Sequence, residues 1–224
     1  MKDYSVLERT LGYSFQDKKL LTHALTHSSY ASEHDLAYSE NNERLEFIGD
    51  AYLDAIIGNK LYEVMPNQPE GVLSKTRANI VCERSLATIA RNIGLGDFLF
   101  LGNGEEMYGG REKDSILADA VEAIIGAIIR ESGYDCADRV VLKLFEENIL
   151  LALQGKLYHD YKTALQEKLQ ERYKNVRIQY ESVSESGPDH RKVFTVQVKV
   201  DDAVLATGSG HSKKAAEQIG RAHV

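Results

Sequence analysis

The stretch Asn42-Glu43-Arg44-Leu45-Glu46-Phe47-Ile48-Gly49-Asp50-Ala51-Tyr52-Leu53 constrains this chain more than any other. At about 3.6 residues per turn, Glu43, Glu46 and Asp50 fall at i, i+3 and i+7 on one helical face. Leu45, Ile48, Gly49, Tyr52, Leu53 and Ile56 form an apolar stripe on the other side. Carboxylates spaced in this way repel one another by a few tenths of a kcal/mol per neighbouring pair. The nearby cation, Arg44, lies off their face. Alone, the pattern fits a solvated acidic face as well as a binding site.

A second stretch shifts the balance. In Asp114-Ser115-Ile116-Leu117-Ala118-Asp119-Ala120-Val121-Glu122-Ala123-Ile124-Ile125-Gly126-Ala127, Asp119 and Glu122 sit among apolar or small residues. Such a helix is expected to be buried on most sides, where carboxylates are costly unless paired or bound to a cation. No Lys or Arg occurs between Lys113 and Arg130 to neutralise them. Two acidic pairs on two apolar helices can converge into an all-oxygen cage, which suits Mg²⁺ or Mn²⁺.

The wording of these stretches resembles a known family. Asn42 to Asp50 is similar to the signature of the ribonuclease III family, with Ile48 where Leu is usual. Leu117 to Ala127 resembles that family's second acidic motif, and Glu70-Gly71-Val72-Leu73-Ser74-Lys75 the segment that carries another acidic residue of the site. In the last third, Lys162-Thr163-Ala164-Leu165-Gln166-Glu167, Gly187-Pro188-Asp189-His190 and Ser212-Lys213-Lys214-Ala215-Ala216 resemble the double-stranded-RNA-binding domain. The resemblance implies a mainly α N-terminal endonuclease domain at 1–153 and a linker at 154–159. A small α+β (α-β-β-β-α) RNA-binding domain then fills 160–224.

Composition and charge fit this division. The chain has 224 residues and 43% hydrophobic content, enough for a core and against global disorder. The net charge of −7 looks wrong for a nucleic-acid binder until it is split. Residues 1–155 hold 15 Lys+Arg against 25 Asp+Glu, whereas 156–224 hold 12 against 9. The second part can therefore approach a polyanion. No apolar run nears the ~20 residues of a membrane span. The start, Met1-Lys2-Asp3-Tyr4-Ser5, lacks the apolar core of a signal peptide, so a cytoplasmic location is expected. Cys82 and Cys136 read as ordinary thiols.

Along the chain, two short helices are expected around Gly12-Tyr13, with His23 and His27 in packing or hydrogen-bonding roles. A polar loop follows over 32–42, then the acidic helix from Glu43 to Val64, ended by Pro66. One helix is expected from Val72 to about Arg91, a glycine-studded loop over 94–110, the second acidic helix to Arg130, and one helix from Cys136 to Leu153. After a helix over about 160–173, period-two alternation predicts strands at 176–180, 194–200 and 203–207, with a turn at Asp201-Asp202. Gly208 onward is read as the start of the last helix.

The family resemblance also implies roles. Glu46, Asp50, Asp119 and Glu122 match the four core acidic positions, with Glu46, Asp119 and Glu122 as metal ligands and Asp50 and Glu122 handling the attacking water. Glu43 and Glu70 match outer positions. Thr163, Gln166 and Glu167 would meet one minor groove, Pro188 and His190 the next, and Ser212, Lys213 and Lys214 the intervening phosphates. The implied activity is a Mg²⁺-dependent endoribonuclease acting on double-stranded RNA as a homodimer and leaving short 3′ overhangs. Phe47 matches a residue at the dimer interface, and a place in the chain's own core is equally compatible with the sequence. A non-catalytic double-stranded-RNA-binding or ribosome-associated protein on the same fold is the rival reading; it requires the loss of a core carboxylate, and none is missing. The final helix is expected to be incomplete. Ile219 to Val224 back-translates to ATC-GGA-AGA-GCA-CAC-GTC, which resembles part of a sequencing adapter, so 219–224 are expected to be foreign to the natural protein.

Overall fold

In the computed structural model, the described residues are 3–157, 165, 169, 177–187, 192–201, 203–210 and 212–217. They divide into two compact units, Met1–Leu157 and Tyr158–Val224.

The first unit is helical, and its axis is α8 (Asp114–Ser132), which reads DSILADAVEAIIGAIIRES. Four alanines favour the helix intrinsically, and every residue from Ile116 to Ile129 is buried except Asp119 and Glu122. Each fully buried Val or Ile contributes about 1.5–3 kcal/mol before entropy is counted. A helix this enclosed must be covered on several sides. It is packed by α2 (Lys18–Ala24), α4 (Glu43–Val64), α6 (Glu83–Asn92) and α9 (Tyr134–Leu144). The start of α8 has no side-chain cap of its own. Instead the Arg91 guanidinium donates to the Glu112 carbonyl at 2.7 Å and pairs with the Asp114 carboxylate, which fixes the first turn from outside.

The closest packing is between α4 and α8. A Cβ placed on Gly49 would lie 1.8 Å from the Glu122 carbonyl oxygen, and one on Gly126 would lie 2.1 Å from the Leu45 carbonyl oxygen. These two glycines let the backbones touch, with Leu45, Leu53, Ile56 and Ile57 of α4 buried beside them.

The boundaries of α4 fall where expected, and the opening contains α1 (Ser5–Leu11) and α2 as read. Several regions are more broken than their periodicity suggests. The helix expected over 72–91 is two, α5 (Glu70–Ile80) and α6, because they pack on different partners: α5 lies on α4, while Leu86, Ile89 and Ala90 of α6 lie buried on the α8 side. A straight helix could not serve both, and Cys82 turns extended between them. The helix expected over 136–153 is also two, α9 and α10 (Glu146–Leu153), broken at Phe145, whose side chain is fully buried. The polar loop holds the end of α3 (Ser28–Glu33) and a 3-10 turn at Tyr38–Glu40. The glycine-studded loop holds α7 (Asn103–Met107) between 3-10 turns, because the Arg111 guanidinium ties the Gly96 and Leu99 carbonyls together.

The second unit contains the antiparallel sheet β1-β2-β3, with β1 Ile178–Ser186, β2 Val193–Val200 and β3 Ala203–Gly210. Val196 and Val198 of β2 form its core with Leu165 and Ala216, and Ile178, Tyr180, Phe194 and Ala206 pack against it. β1 runs beyond its alternating part because its polar residues to Ser186 still pair with β2. Gly208, Ser209 and Gly210 belong to β3, opposite Val196, Thr195 and Phe194, and do not start the helix. The helix α11 spans Lys213–Ala216. Leu165 and Leu169 are helical, and the rest of the helix expected over 160–173 lies outside the described residues, as do Asp202 and 218–224.

Candidate active site

The face of α4 carries Glu43, Glu46, Asp50 and Asp54 along successive turns, and α8 brings Asp119 and Glu122 against it. Glycine contact at Gly49 and Gly126 sets the spacing, since Gly49 touches the backbone of Glu122 itself. As a result, carboxylate oxygens of Glu46, Asp119 and Glu122 all lie within 4.8 Å of one another, and all three side chains are partly buried. Asp50 is exposed at the edge of this group, and Glu43 is partly buried in the first turn of α4. Glu70 is exposed at the start of α5, where its carboxylate accepts from Ser74 Oγ at 2.6 Å; it is not part of the cluster.

The electrostatics follow from this crowding. Burial raises the Glu122 carboxyl to about 8, helped by the charges of Asp50, Asp119, Glu46 and Asp54. Glu46 is raised by burial and then by Asp119, Glu43 and Asp50. Burial also raises Asp119, against which only His27 acts, with Glu83 and Glu43 adding to the rise. Carboxyls held reluctant to ionise in one another's field are relieved by a cation. An all-oxygen donor set of three carboxylates fits a hard divalent ion and offers nothing to a soft one.

The first turn of α4 is held in place by the chain before it. Asn41 and Asn42 are each 3% exposed. The Asn42 amide donates to the Thr26 carbonyl at 2.8 Å, and Asn41 Oδ1 accepts from the Glu43 amide at 3.1 Å. His27 caps α3, its Nδ1 accepting from the Ser29 amide at 3.2 Å, and burial lowers its pKa. The sequence reading missed the two glycines, both asparagines and the Asp54–Arg77 ion pair at 3.5 Å. The glycines had a visible signal, lying inside both acidic motifs on the apolar side of their helices. Arg77 of α5 lies half-exposed beside the carboxylate ladder of α4 through its pair with Asp54.

Phe47 is 78% exposed, so its alternative placement in the chain's own core is excluded. In the second unit, Ser212 and Lys213 are exposed. Lys213 Nζ is paired with Glu185 at 3.3 Å and lies 5.9 Å from the centre of the Phe194 ring. Lys214 lies in α11. Thr163, Gln166, Glu167, Pro188 and His190 fall outside the described residues. Among the described residues, no helix is long and apolar enough to cross a membrane.

Comparison with known proteins agrees with this architecture. Residues 17–149 match the family described as Ribonuclease-III-like, and residues 161–219 the double-stranded RNA binding motif. A protein named Ribonuclease 3 from Caldanaerobacter subterraneus subsp. tengcongensis is 51% identical over 212 residues, covering 95% of this chain and 92% of its own. Another of that name from Sulfurovum sp. is 47% identical over 219 residues, covering 97% and 95%. A solved nuclease domain of ribonuclease III from Campylobacter jejuni, described as flexible in a region involved in dimer formation, superimposes with a TM-score of 0.61 at 49% identity. It covers 65% of this chain and 98% of its own. The chain belongs to the bacterial ribonuclease III family, endoribonucleases of double-stranded RNA built from a helical nuclease domain and an RNA-binding domain.

Proposed function

We propose that this chain hydrolyses phosphodiester bonds of double-stranded RNA at the carboxylate cluster of α4 and α8 by a two-metal mechanism, with Mg²⁺ as cofactor and Mn²⁺ as a substitute. The observation that carries this reading is the approach of Glu46, Asp119 and Glu122 to within 4.8 Å of one another, a donor set of carboxylate oxygens alone. When bound, the cations neutralise charge on the scissile phosphate and acidify the attacking water.

The chain's own residues do the remaining work. Glu46, Asp119 and Glu122 supply the ligand oxygens, and α4 and α8 hold them rigid through their glycine contact. Burial and its acidic neighbours raise the Glu122 carboxyl to about 8, and a cation held there would favour its charged form. Asp50, exposed on the same side, accepts a hydrogen bond from the attacking water, and Glu122 shares that task. Glu43 and Glu70 act from outer positions once RNA is bound.

The catalytic domain spans 1–153, and a linker at 154–159 joins it to the RNA-binding domain at 160–224. In that domain, Thr163, Gln166 and Glu167 contact 2′-hydroxyls in one minor groove, Pro188 and His190 the next, and Ser212, Lys213 and Lys214 the phosphates between. The protein works as a homodimer in which each site cuts one strand, leaving short 3′ overhangs. Its setting is the cytoplasm, in processing of ribosomal RNA precursors and turnover of messenger RNA.

A plain RNA duplex incubated with the protein in Mg²⁺ and in EDTA tests this reading. Cleavage with 3′ overhangs in Mg²⁺ alone supports it. Cleavage that persists in EDTA overturns the metal assignment, and binding without cleavage under Mg²⁺ and Mn²⁺ overturns the enzymatic one.

A further inference from the structure

We infer that His23 is a positioning residue for the acidic site: its ring N–H holds the segment from which the first turn of α4 starts, and so places Glu43 and Glu46. His23 Nε2 lies 2.7 Å from the Asn41 carbonyl oxygen. A carbonyl can only accept, so Nε2 carries the proton and donates. Asn41 is the second residue before Glu43, and its own side-chain oxygen accepts from the Glu43 amide. One residue further, the Asn42 amide donates to the Thr26 carbonyl, and the Asn42 carbonyl accepts from the Glu46 amide at 2.9 Å. His23 and Thr26 thus grip the two ends of one peptide unit, that joining Asn41 to Asn42. These two residues make direct hydrogen bonds to the amides of Glu43 and Glu46, Asn41 through its side chain and Asn42 through its carbonyl.

The segment that does the gripping is itself anchored. Leu25 and His27 bracket Phe100 by the hydrogen bonds Phe100 N–H to Leu25 C=O at 2.9 Å and His27 N–H to Phe100 C=O at 3.1 Å. The Gly102 amide donates to Ser29 Oγ at 2.9 Å. Leu21, Ala24 and Leu25 are fully buried, so α2 cannot follow α4 if α4 shifts.

One side of the grip faces a groove of about 470 Å³, lined by Lys18, Lys19, Thr22, His23, Thr26, Leu36 and Glu40, which opens beside the imidazole. If the ring is removed, water from this groove can satisfy the Asn41 carbonyl. The fold therefore survives, while the start of α4 loses a rigid contact. Ligand carboxylates must be held to within fractions of an ångström, so that loosening reaches the chemistry without unfolding the unit.

This inference rests on the metal-site reading above, and its test separates the two. The full-length chain is compared with His23→Gln, which keeps an N–H donor near the position of Nε2, and with His23→Leu, which keeps bulk and loses the donor. The first readout is amide hydrogen exchange in EDTA, which involves no metal. We expect exchange at Asn42 and Glu46 to quicken several-fold in His23→Leu and to stay near wild type in His23→Gln. The second is Mg²⁺ affinity by calorimetry, expected to weaken roughly 3–10-fold in His23→Leu alone, the scale of one hydrogen bond. The third is kcat, expected to fall about tenfold in His23→Leu with the duplex Kd within about twofold of wild type. Equal losses in both variants, or unchanged exchange in His23→Leu, overturn the positioning role. If exchange changes as expected but wild type and Glu122→Gln bind Mg²⁺ alike, the metal reading fails and the grip on α4 stands.

Discussion

Glu122 is the residue on which the chemistry and the stability of the catalytic unit meet. In the metal-free chain its carboxyl is raised to about 8, whereas in the unfolded chain it titrates near the ordinary glutamate value. Between those values the folded state binds more protons than the unfolded state, so stability falls as pH rises through this window and is lowest above it. Glu46 and Asp119 are raised as well and add in the same sense. The Tm of the catalytic unit in EDTA should therefore drop by several degrees from about pH 5 to about pH 8.5, and Mg²⁺ should restore most of the loss at the upper end. Glu122→Gln should flatten that profile in EDTA and raise Tm above pH 8. The same substitution should lower cleavage by at least ~10³-fold with duplex binding intact, the scale of removing one electrostatic stabiliser of the transition state. A Glu122→Gln protein that cuts near the wild-type rate, or an EDTA profile that rises with pH, contradicts this account. In the other unit, Lys213 is paired with Glu185 and lies over Phe194, so a phosphate competes with a carboxylate for its charge. Lys213→Ala should reduce the magnitude of the slope of log affinity against log salt by about 1. Glu185→Gln should tighten duplex binding at low salt. An unchanged slope in Lys213→Ala places this lysine off the phosphates.

At the scale of elements, the two glycines decide whether the carboxylates meet. Gly49→Ala and Gly126→Ala each put a methyl group into a backbone carbonyl of the partner helix, at 1.8 and 2.1 Å before relaxation. The helices must separate, at a cost of at least about 1–3 kcal/mol. Metal affinity should fall more steeply than stability, since Glu46 and Glu122 ride on the helices that move apart. Calorimetry with Mg²⁺ alongside thermal unfolding checks this; a Gly49→Ala protein with wild-type Mg²⁺ affinity would show that the contact does not set the site. This contact also marks how far the sequence could be read. The acidic face and apolar stripe of α4 were legible because period and charge coincide along one long helix that a proline closes. The break between α5 and α6 was not, because it comes from two partners lying in different directions, a tertiary fact with no local mark beyond the run Ile80-Val81-Cys82. The break at Phe145 has the same cause: the ring is buried at the corner, and its apolarity had suggested an uninterrupted face. Gly208 to Gly210 read as a helix start after a third strand ending at Thr207, yet the pairing of β3 with β2 runs through all three. The candidate ligands were legible as residue types at a spacing, and so was a packing or hydrogen-bonding role for His23. The peptide that His23 holds and the part the asparagines play were not, since a polar side chain gives no sign of what it grips.

At the scale of the whole molecule, Phe47 poses the remaining question. It stands on α4 between Glu46 and Asp50 in sequence but leaves 78% of its surface to solvent. Left in water, the ring contributes no burial to the fold of its own chain. In a homodimer with two-fold symmetry the same patch is used twice, so two rings are buried for each association event. At about 1.5–3 kcal/mol for each buried Phe side chain, the pair contributes roughly 3–6 kcal/mol, or about 10²- to 10⁴-fold in dimer Kd. Phe47→Ala should therefore shift the protein to monomer at micromolar concentration, as read by light scattering after size exclusion. The carboxylate cluster lies within one chain, so each monomer should retain its Mg²⁺ affinity. What should be lost is coupling between strands: a duplex should be nicked on one strand before the other, and products with paired 3′ overhangs should appear only after a lag. Retention of the wild-type dimer Kd in Phe47→Ala would remove Phe47 from the interface. A monomeric variant that still releases both strands in one event would show instead that double-strand cleavage does not need two copies of this chain.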